Sequence, residues 1–182
     1  HAGQLPVYYN HFHNSSWHQT GSIGFLNYVD LPHTPRYYFG HGLSYTTFAY
    51  SELQISRDEV APFEKLTISL KVENTGDRAG DEVVQLYLHD AFASMARPVR
   101  ELAGFLRVGL EPGEKKTVVF TVEPSQMAFL DKDMRWKIEK GTIEVEIGSS
   151  SDDIRLTGSY EVTENGWIAG KDRAFYAKAA VE

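Results

Sequence analysis

The chain has 182 residues, 42% hydrophobic and 24% charged, which is typical of a soluble globular protein and too apolar for a disordered one. Its formal net charge of −7 argues against a nucleic-acid partner, and no run of about 18 apolar residues predicts a membrane span. The absence of cysteine excludes a disulfide framework and a thiolate nucleophile. The compartment, whether cytoplasmic, periplasmic or secreted, is left open.

The first part of the chain is rich in aromatic residues and has little periodicity. It begins with His1 rather than Met, so we expect a longer polypeptide to precede it. The stretch "RYYFGHGLSYTTFAYS", residues 36–51, contains six aromatic residues. It is either a chemical site or a segment that packs on another surface.

Three histidines in this region suggest a metal site. His11 and His13 lie one residue apart and His18 follows closely, and alternate residues of an extended chain face the same side. Zinc sites need three or four ligands with ordered spacing, and neither Cys nor an HExxH motif supports this one. Histidines in an ordinary loop are the favoured interpretation, and no metal or other cofactor is predicted.

From Phe48 onward the sequence alternates apolar and polar residues, as strands with one buried and one wet face do. About seven such segments fill the next ~115 residues without a long helical pattern between them. They are predicted near 48–56, 65–73, 82–89, 100–107, 116–123, 142–148 and 154–163. The prediction is an all-β, two-sheet sandwich of the immunoglobulin or fibronectin type III kind, and the lack of cystine favours the latter.

The segments between the strands agree with this fold. "NTGDRAG" (74–80) and "LEPGEKK" (110–116) have the Gly, Pro and Asn content of tight turns. The last stretch, 164–182, is assigned to a C-terminal tail. A short helix over 174–181 is considered there, although its length is marginal for a helix.

Asp131 and Asp133 form a carboxylate pair two residues apart. Glycosidases need two carboxyl groups about 5–5.5 Å apart for retention or about 6.5–9.5 Å apart for inversion, and alternate strand residues approach the latter distance. The pair lies where a polar hairpin turn is expected, however, and an exposed turn cannot raise the pKa of a catalytic acid. A turn is therefore the favoured interpretation.

Two further motifs carry weaker signals. "GHGLS" (40–44) lacks the third glycine and the following helix of a nucleotide-binding loop. Arg97, Arg100 and Glu101 lie at the end of a long loop that begins at His89, and long loops on rigid sandwiches often form binding surfaces. The alternative, that Arg97 pairs with a neighbouring carboxylate, is given equal weight.

Five segments together resemble, in this order, the C-terminal end of family-three glycoside hydrolases, the β-glucosidases and their β-xylosidase relatives. They are "GQLPVYYNH" (3–11), "FGHGLSYTTFAYS" (39–51), "VENTGDRAGDEVVQLYLHD" (72–90), "RPVRELAGFLRVGLEPGEKKTVVFTV" (97–122) and "GSSSDDIRLTGSYEV" (148–162). The resemblance covers about 160 of the 182 residues.

The resemblance implies a division of the chain and a role for it. Residues 1–10 would be the tail of an α/β sandwich domain, 11–47 an irregular aromatic-rich connector, 48–163 the fibronectin type III-like domain and 164–182 the tail. The family's catalytic carboxylates belong to its barrel and α/β domains and match no position here. The resemblance therefore assigns no catalytic residue, and it implies a non-catalytic part of a retaining β-glycosidase.

The resemblance also gives the aromatic stretch a role. Since the strands supply the sandwich core, we expect these rings to pack against the catalytic barrel and α/β domains. The predicted domain-interface residues are Tyr37, Tyr38, Phe39, His41, Tyr45 and Arg97. Two alternatives stay open: a stand-alone module that binds an oligosaccharide through Tyr37 and Tyr38, and a protein-interaction domain with exposed aromatic residues.

Overall fold

A computed structural model describes residues 6–12, 32 and 34–182 of the chain. In this part of the protein twelve strands follow one another in chain order. They are β1 (Phe48–Ile55), β2 (Glu59–Val60), β3 (Leu66–Asn74), β4 (Gly80–Asp90), β5 (Glu101–Leu110), β6 (Lys115–Val122), β7 (Phe129–Leu130), β8 (Trp136–Ile138), β9 (Gly141–Gly148), β10 (Ile154–Val162), β11 (Gly166–Ile168) and β12 (Lys178–Val181). Two 3₁₀ turns, Pro124–Met127 and Gly170–Asp172, complete the secondary structure.

The predicted all-β sandwich is confirmed. One sheet has the strand order β1-β3-β6-β12, and the other has the order β2-β10-β9-β4-β5. All seven predicted strands are present, as β1, β3, β4, β5, β6, β9 and β10. Helices are short in the described residues, and none is long and apolar enough to cross a membrane.

The alternating residues of the two sheets meet in one core. Inward-facing side chains from both sheets are almost fully buried, among them Ile68, Leu70, Val84, Leu86, Leu88, Phe120, Val145 and Ile147. Burial of each such side chain contributes about 1.5–3 kcal/mol. The apolar period of two residues therefore determines both the strands and the face on which they pack.

The turns that the sequence predicts are formed. Gly113, in the turn between β5 and β6, has a φ of 74°, which a residue without a Cβ adopts at little cost. Asn74 ends β3 and is buried. Its amide donates to the carbonyl oxygens of Arg78 (2.7 Å) and Leu110 (3.0 Å), and its oxygen accepts the hydroxyl of Thr46 at 2.6 Å. One side chain thus joins two turns to the connector.

The C-terminal segment differs from the predicted tail. The short helix considered over 174–181 is wrong, because Lys178–Val181 is strand β12, which pairs with β6 from Lys178↔Thr121 to Val181↔Val118. The pairing gives the edge of the first sheet a partner for its backbone groups, a tertiary contribution that a local sequence pattern does not reveal. Strand β11, also in the 164–182 segment, belongs to a small third sheet of order β11-β8-β7.

Candidate functional site

Residues before β1 cover the outer face of β4 at Gln85 and Tyr87. Gln85 and Tyr87 alternate along β4 with the core residue Leu86 and therefore point away from the core, yet both are buried. The ring of Tyr9 lies against Tyr87 edge-on at 5.9 Å and stacks on Phe39 at 4.1 Å. The two described parts of the N-terminal region thus form a third layer on the sandwich.

Polar contacts fix this layer. The Gln85 amide donates to the carbonyl oxygens of Gly40 (3.1 Å) and Ser149 (2.5 Å), and its oxygen accepts the Tyr87 hydroxyl at 2.6 Å. The backbone N–H of Ser151 donates to the carbonyl oxygen of Phe39 at 2.9 Å. The connector is therefore tied to β4 and to the β9–β10 hairpin at once.

Two further contacts hold the tyrosines in place. The Tyr9 hydroxyl accepts the backbone N–H of Leu102 at 3.2 Å, and burial raises the pKa of that hydroxyl. Burial also raises the pKa of Tyr87. Both groups stay neutral at physiological pH, as a hydrogen-bonding role requires.

A cavity of about 570 Å³ opens between the connector and the sheet. Its lining includes the aromatic residues Tyr8 and Tyr37 and the charged residues Arg100 and Glu146. There the Arg100 guanidinium pairs with Glu146, with Nε 3.1 Å from the carboxylate, and donates to the carbonyl oxygen of Ser151. The cavity belongs to the same surface as the connector.

On both sides of Gly40 the connector exposes apolar side chains. Tyr37 is 62% exposed and Tyr45 is 93% exposed, and Leu43 between them is equally open to solvent. Phe39 is partly exposed beyond its stack on Tyr9, whereas Tyr38 is half-buried. The exposed rings lie on a backbone that is fixed at Phe39 and Gly40. We call Tyr37, Phe39, Leu43 and Tyr45 the aromatic surface.

His41 and Arg97, the two non-tyrosyl polar residues of the predicted interface, behave differently. The ring of His41 is exposed and lies 5.2 Å from that of Tyr37, so it continues the aromatic surface. The Arg97 side chain is only 9% exposed, donates to Glu101 at 2.7 Å and lies over the Phe129 ring. The structure thus contains the alternative arrangement, in which Arg97 pairs with a neighbouring carboxylate.

The second half of the aromatic stretch belongs to the sandwich. Phe48 and Tyr50 lie on β1 and pack against the core. The Tyr50 hydroxyl donates to Glu82 at 2.8 Å, and the Arg155 guanidinium lies over its ring at 4.7 Å. The expectation that all six rings pack on another surface is therefore wrong for Phe48 and Tyr50, and it stays a prediction for the rings before β1.

The Asp131–Asp133 pair forms the predicted turn, between β7 and β8. Asp131 accepts the backbone N–H groups of Asp133 (2.9 Å) and Arg135 (3.0 Å). The bond from Arg135 is the largest of several effects that lower the pKa of Asp131. A general acid needs a raised pKa, so this carboxyl is unsuited to that role.

Of the three histidines proposed as metal ligands, the structure describes only His11. His11 is the first residue of the connector, and its Nδ1 lies 3.0 Å from the carbonyl oxygen of Phe12. His13 and His18 lie outside the described residues. Within the described ranges, no group of three potential ligands comes together.

The residues that sequence reasoning missed are those of the covered outer face. Gln85 and Tyr87 occupy positions that the alternation assigns to solvent. A large aromatic residue at an outward position of a central strand was the available signal, because Tyr87 is flanked on both sides by paired strands.

Comparison with known families and proteins agrees with this architecture. Residues 82–151 match the family of the fibronectin type III-like domain. The chain is 40% identical to a periplasmic β-glucosidase from Salmonella typhimurium over 163 residues, which are 88% of the chain. It is 38% identical over 156 residues, 85% of the chain, to a β-xylosidase from Formosa agariphila. The chain covers only 21% of each of these relatives.

Solved structures give the same result. A β-glucosidase from Listeria innocua in complex with glucose superposes with a TM-score of 0.78 at 35% identity, covering 92% of this chain and 23% of that one. A β-glucosidase from Erythrobacter marinus has a TM-score of 0.75 at 41% identity, covering 88% of this chain and 20% of that one. The likeness extends over nearly the whole chain and about a fifth of each relative.

Proposed function

We propose that this chain is a non-catalytic part of a family-three glycoside hydrolase and that it braces the catalytic domains. The proposal starts from the likeness of the chain to the fibronectin type III-like domain of these enzymes. The enzyme would hydrolyse terminal β-D-glycosides with retention, using carboxylates that lie outside this chain. This chemistry needs no metal or organic cofactor.

The observation that carries the proposal is the aromatic surface. Tyr37, Leu43 and Tyr45 expose large apolar side chains next to a backbone that Gln85 and Tyr9 hold in place. Exposed apolar groups on a fixed backbone are typical of a surface that another domain covers. Covering them would gain about 25 cal/mol for each Å² of apolar area removed from water.

The proposed division of the chain follows the same logic. Residues 1–10 would end the α/β domain, and 11–47 would connect it to the fibronectin type III-like domain of 48–163, with 164–182 as the C-terminal extension. The barrel and α/β domains are the proposed partners. The proposed contact residues are Tyr37, Tyr38, Phe39, His41 and Tyr45. Arg97, predicted together with them from the sequence, is paired with Glu101 and only 9% exposed, so it is not proposed as a contact.

Two measurements test the assignment as a part of an enzyme. The polypeptide made by the source cell should be several-fold heavier than the 20.5 kDa of this chain. The 182-residue chain should not turn over aryl β-glycosides. A native mass near 20.5 kDa, or turnover by a pure preparation of the chain, would overturn the assignment.

The bracing role is tested in the longer polypeptide. Changing both Tyr37 and Tyr45 to Ala should lower its thermal midpoint and its activity together, since the catalytic domains would lose their support. Phe63→Ala is the matched control, because Phe63 is exposed but lies beside β2, at the end of the sandwich opposite the β9–β10 hairpin. Equal effects of the two changes would contradict bracing through the aromatic surface.

The cavity beside the connector favours a second candidate, contact with an oligosaccharide. Its lining combines the rings of Tyr8 and Tyr37 with the charged groups of Arg100 and Glu146, a mixture of apolar and polar groups that suits a sugar. Calorimetry with β-glucan and xylan oligosaccharides should then give binding that Tyr37→Ala weakens. Flat titrations with all of them would remove this candidate.

A further inference from the structure

A second groove lies at the other end of the sandwich. Strands β9 and β10 pair from Gly148↔Ile154, near the connector, to Gly141↔Val162 at the far end of the sheet. Strands β8 and β11 lie beyond this far end, because β8 precedes Gly141 and β11 follows Val162 in the chain. The groove has a volume of about 320 Å³, and its walls include Met95, Asp131, Asp133, Arg135, Lys137 and Trp167. The residues of the aromatic surface do not line this groove, and the side chains of Trp167 and Arg135 are exposed in this chain.

Trp167 forms the flat apolar part of this groove and is 48% exposed. Its backbone pairs with Lys137 in the small third sheet. Its indole N–H donates to Asp131 Oδ2 at 3.3 Å, and Asp131 is itself held by the backbone of the turn. The orientation of the ring is therefore set before any ligand arrives, which lowers the entropic cost of binding.

Arg135 lies over the Trp167 ring, with its guanidinium carbon 5.5 Å from the ring centroid. Its contacts with Asp131 and Asp133 are long, 3.6 Å each, and its side chain is largely exposed. A weakly held arginine can leave the ring face and donate to a ligand. Lys137, by contrast, is fixed by Glu139 at 2.5 Å.

The charges of the groove indicate a neutral ligand. Two carboxylates, Asp131 and Asp133, stand beside three cationic groups, those of Lys132, Arg135 and Lys137, and Glu139 neutralises the last of these. A strongly charged ligand would meet groups of its own sign. A neutral ligand with many hydroxyl groups can instead use both the acceptors and the donors.

We propose that this groove binds a β-linked oligosaccharide, with one pyranose ring stacked on Trp167 and its hydroxyl groups bonded to Arg135 and Asp133. The equatorial hydroxyl groups of β-linked glucose or xylose leave a flat C–H face for the indole and a polar rim for the charged side chains. The β linkage rests on the proposed function, whereas the sugar class follows from the groove. The site would hold the polymer near the enzyme without taking part in catalysis.

The test is an NMR titration of the 182-residue chain with cellobiose, xylobiose and maltose. The backbone amide signals of residues 131–137 give the affinity of every variant, including Trp167→Ala, and the indole N–H signal of Trp167 reports contact with the ring. Cellobiose or xylobiose should shift this signal in a saturable way and maltose should shift it less. Trp167→Ala should weaken the affinity by about tenfold or more, as loss of a central aromatic anchor does. Arg135→Ala, which keeps the ring, should weaken it by less.

Phe105→Ala is the matched control, because it removes an exposed ring of β5 that does not line the groove. It should leave the affinity unchanged. No saturable shift with either β-linked sugar would overturn the proposal, and so would binding that Tyr37→Ala removes and Trp167→Ala preserves. Neither result would affect the bracing function, which is tested by native mass and by the Tyr37 and Tyr45 variants of the longer polypeptide.

Discussion

The second half of β4 is buried on both its inner and its outer face, but by different means. On the inner face, Val84, Leu86 and Leu88 pack against the apolar residues of the opposite sheet. On the outer face, Gln85 is covered by the connector, through its hydrogen bond to Gly40, and Tyr87 is covered by the ring of Tyr9, which precedes the connector. Removal of the residues before β1 would expose the second set and leave the first unchanged.

The two faces of β4 have different roles: the inner face stabilises the fold, and the outer face positions the aromatic surface. The inner face is a hydrophobic core and supplies most of the free energy of folding. The outer face buries polar groups that must be paired, so it accepts only one arrangement of Phe39 and Gly40. The outer face therefore determines where the aromatic surface stands, and four predictions separate the two roles.

The largest effect is expected at the core. Phe120→Ala should lower the free energy of unfolding by about 3–5 kcal/mol, because it leaves a cavity between the sheets. Phe105→Ala, at an exposed position of β5, is the control and should cost about 0.5 kcal/mol or less. Urea unfolding followed by fluorescence measures both. A small effect at Phe120 would show that the core is not where the stability lies.

A smaller effect is expected on the outer face. Gln85→Ala leaves the carbonyl oxygens of Gly40 and Ser149 without their donor and the Tyr87 hydroxyl without its acceptor, at a cost of about 1–3 kcal/mol. Hydrogen exchange should accelerate around Phe39 and Gly40 and stay unchanged in β3 and β6. Gln54→Ala, on the exposed side of β1, is the control. Equal acceleration of exchange throughout the sandwich would show that the outer face contributes to the stability of the whole fold and not only to the position of Phe39 and Gly40.

The hairpin that receives the connector should respond to pH. The hydrogen bonds from Arg155 are the largest cause of the lowered pKa of Asp153, so their stabilisation is present above the unfolded pKa of about 3.8 and is lost as pH falls through the folded value. Because Asp153 is half exposed, the contribution is about 0.5–1 kcal/mol.

Asp153→Asn should remove this pH-dependent contribution and so flatten the stability curve below about pH 4. Asp152→Asn, at an exposed neighbouring carboxylate, should leave the curve unchanged. Thermal unfolding between neutral and acid pH compares the three proteins. Parallel curves for Asp153→Asn and the unchanged chain would contradict the role of the Asp153–Arg155 pair.

The smallest effect is expected on the aromatic surface itself. Tyr45→Ala in the 182-residue chain should change the free energy of unfolding by about 0.5 kcal/mol or less, since the side chain contacts little. A large loss would mean that Tyr45 packs on its own sandwich. Tyr45 would then stabilise this chain itself, which would contradict its assignment to a surface that another domain covers.

The limits of sequence reasoning follow from the same comparison. Alternation located the seven main strands, and the Asp131–Asp133 pair was correctly assigned to a turn, because both are local properties. The cover over Tyr87 joins residues far apart in the chain, and the pairing of β12 with β6 joins positions 178–181 to 118–121. No local pattern specifies such contacts. Arg97 was ambiguous because its partner, Glu101, was one of several carboxylates.

The most direct test of bracing is hydrogen exchange at the amides of residues 37–45, compared between the 182-residue chain and the polypeptide that the source cell makes. If other domains cover the aromatic surface, these amides should exchange about tenfold or more slowly in the longer polypeptide, while β3 and β6 stay alike in both. Equal exchange of residues 37–45 in the two proteins would contradict the bracing function.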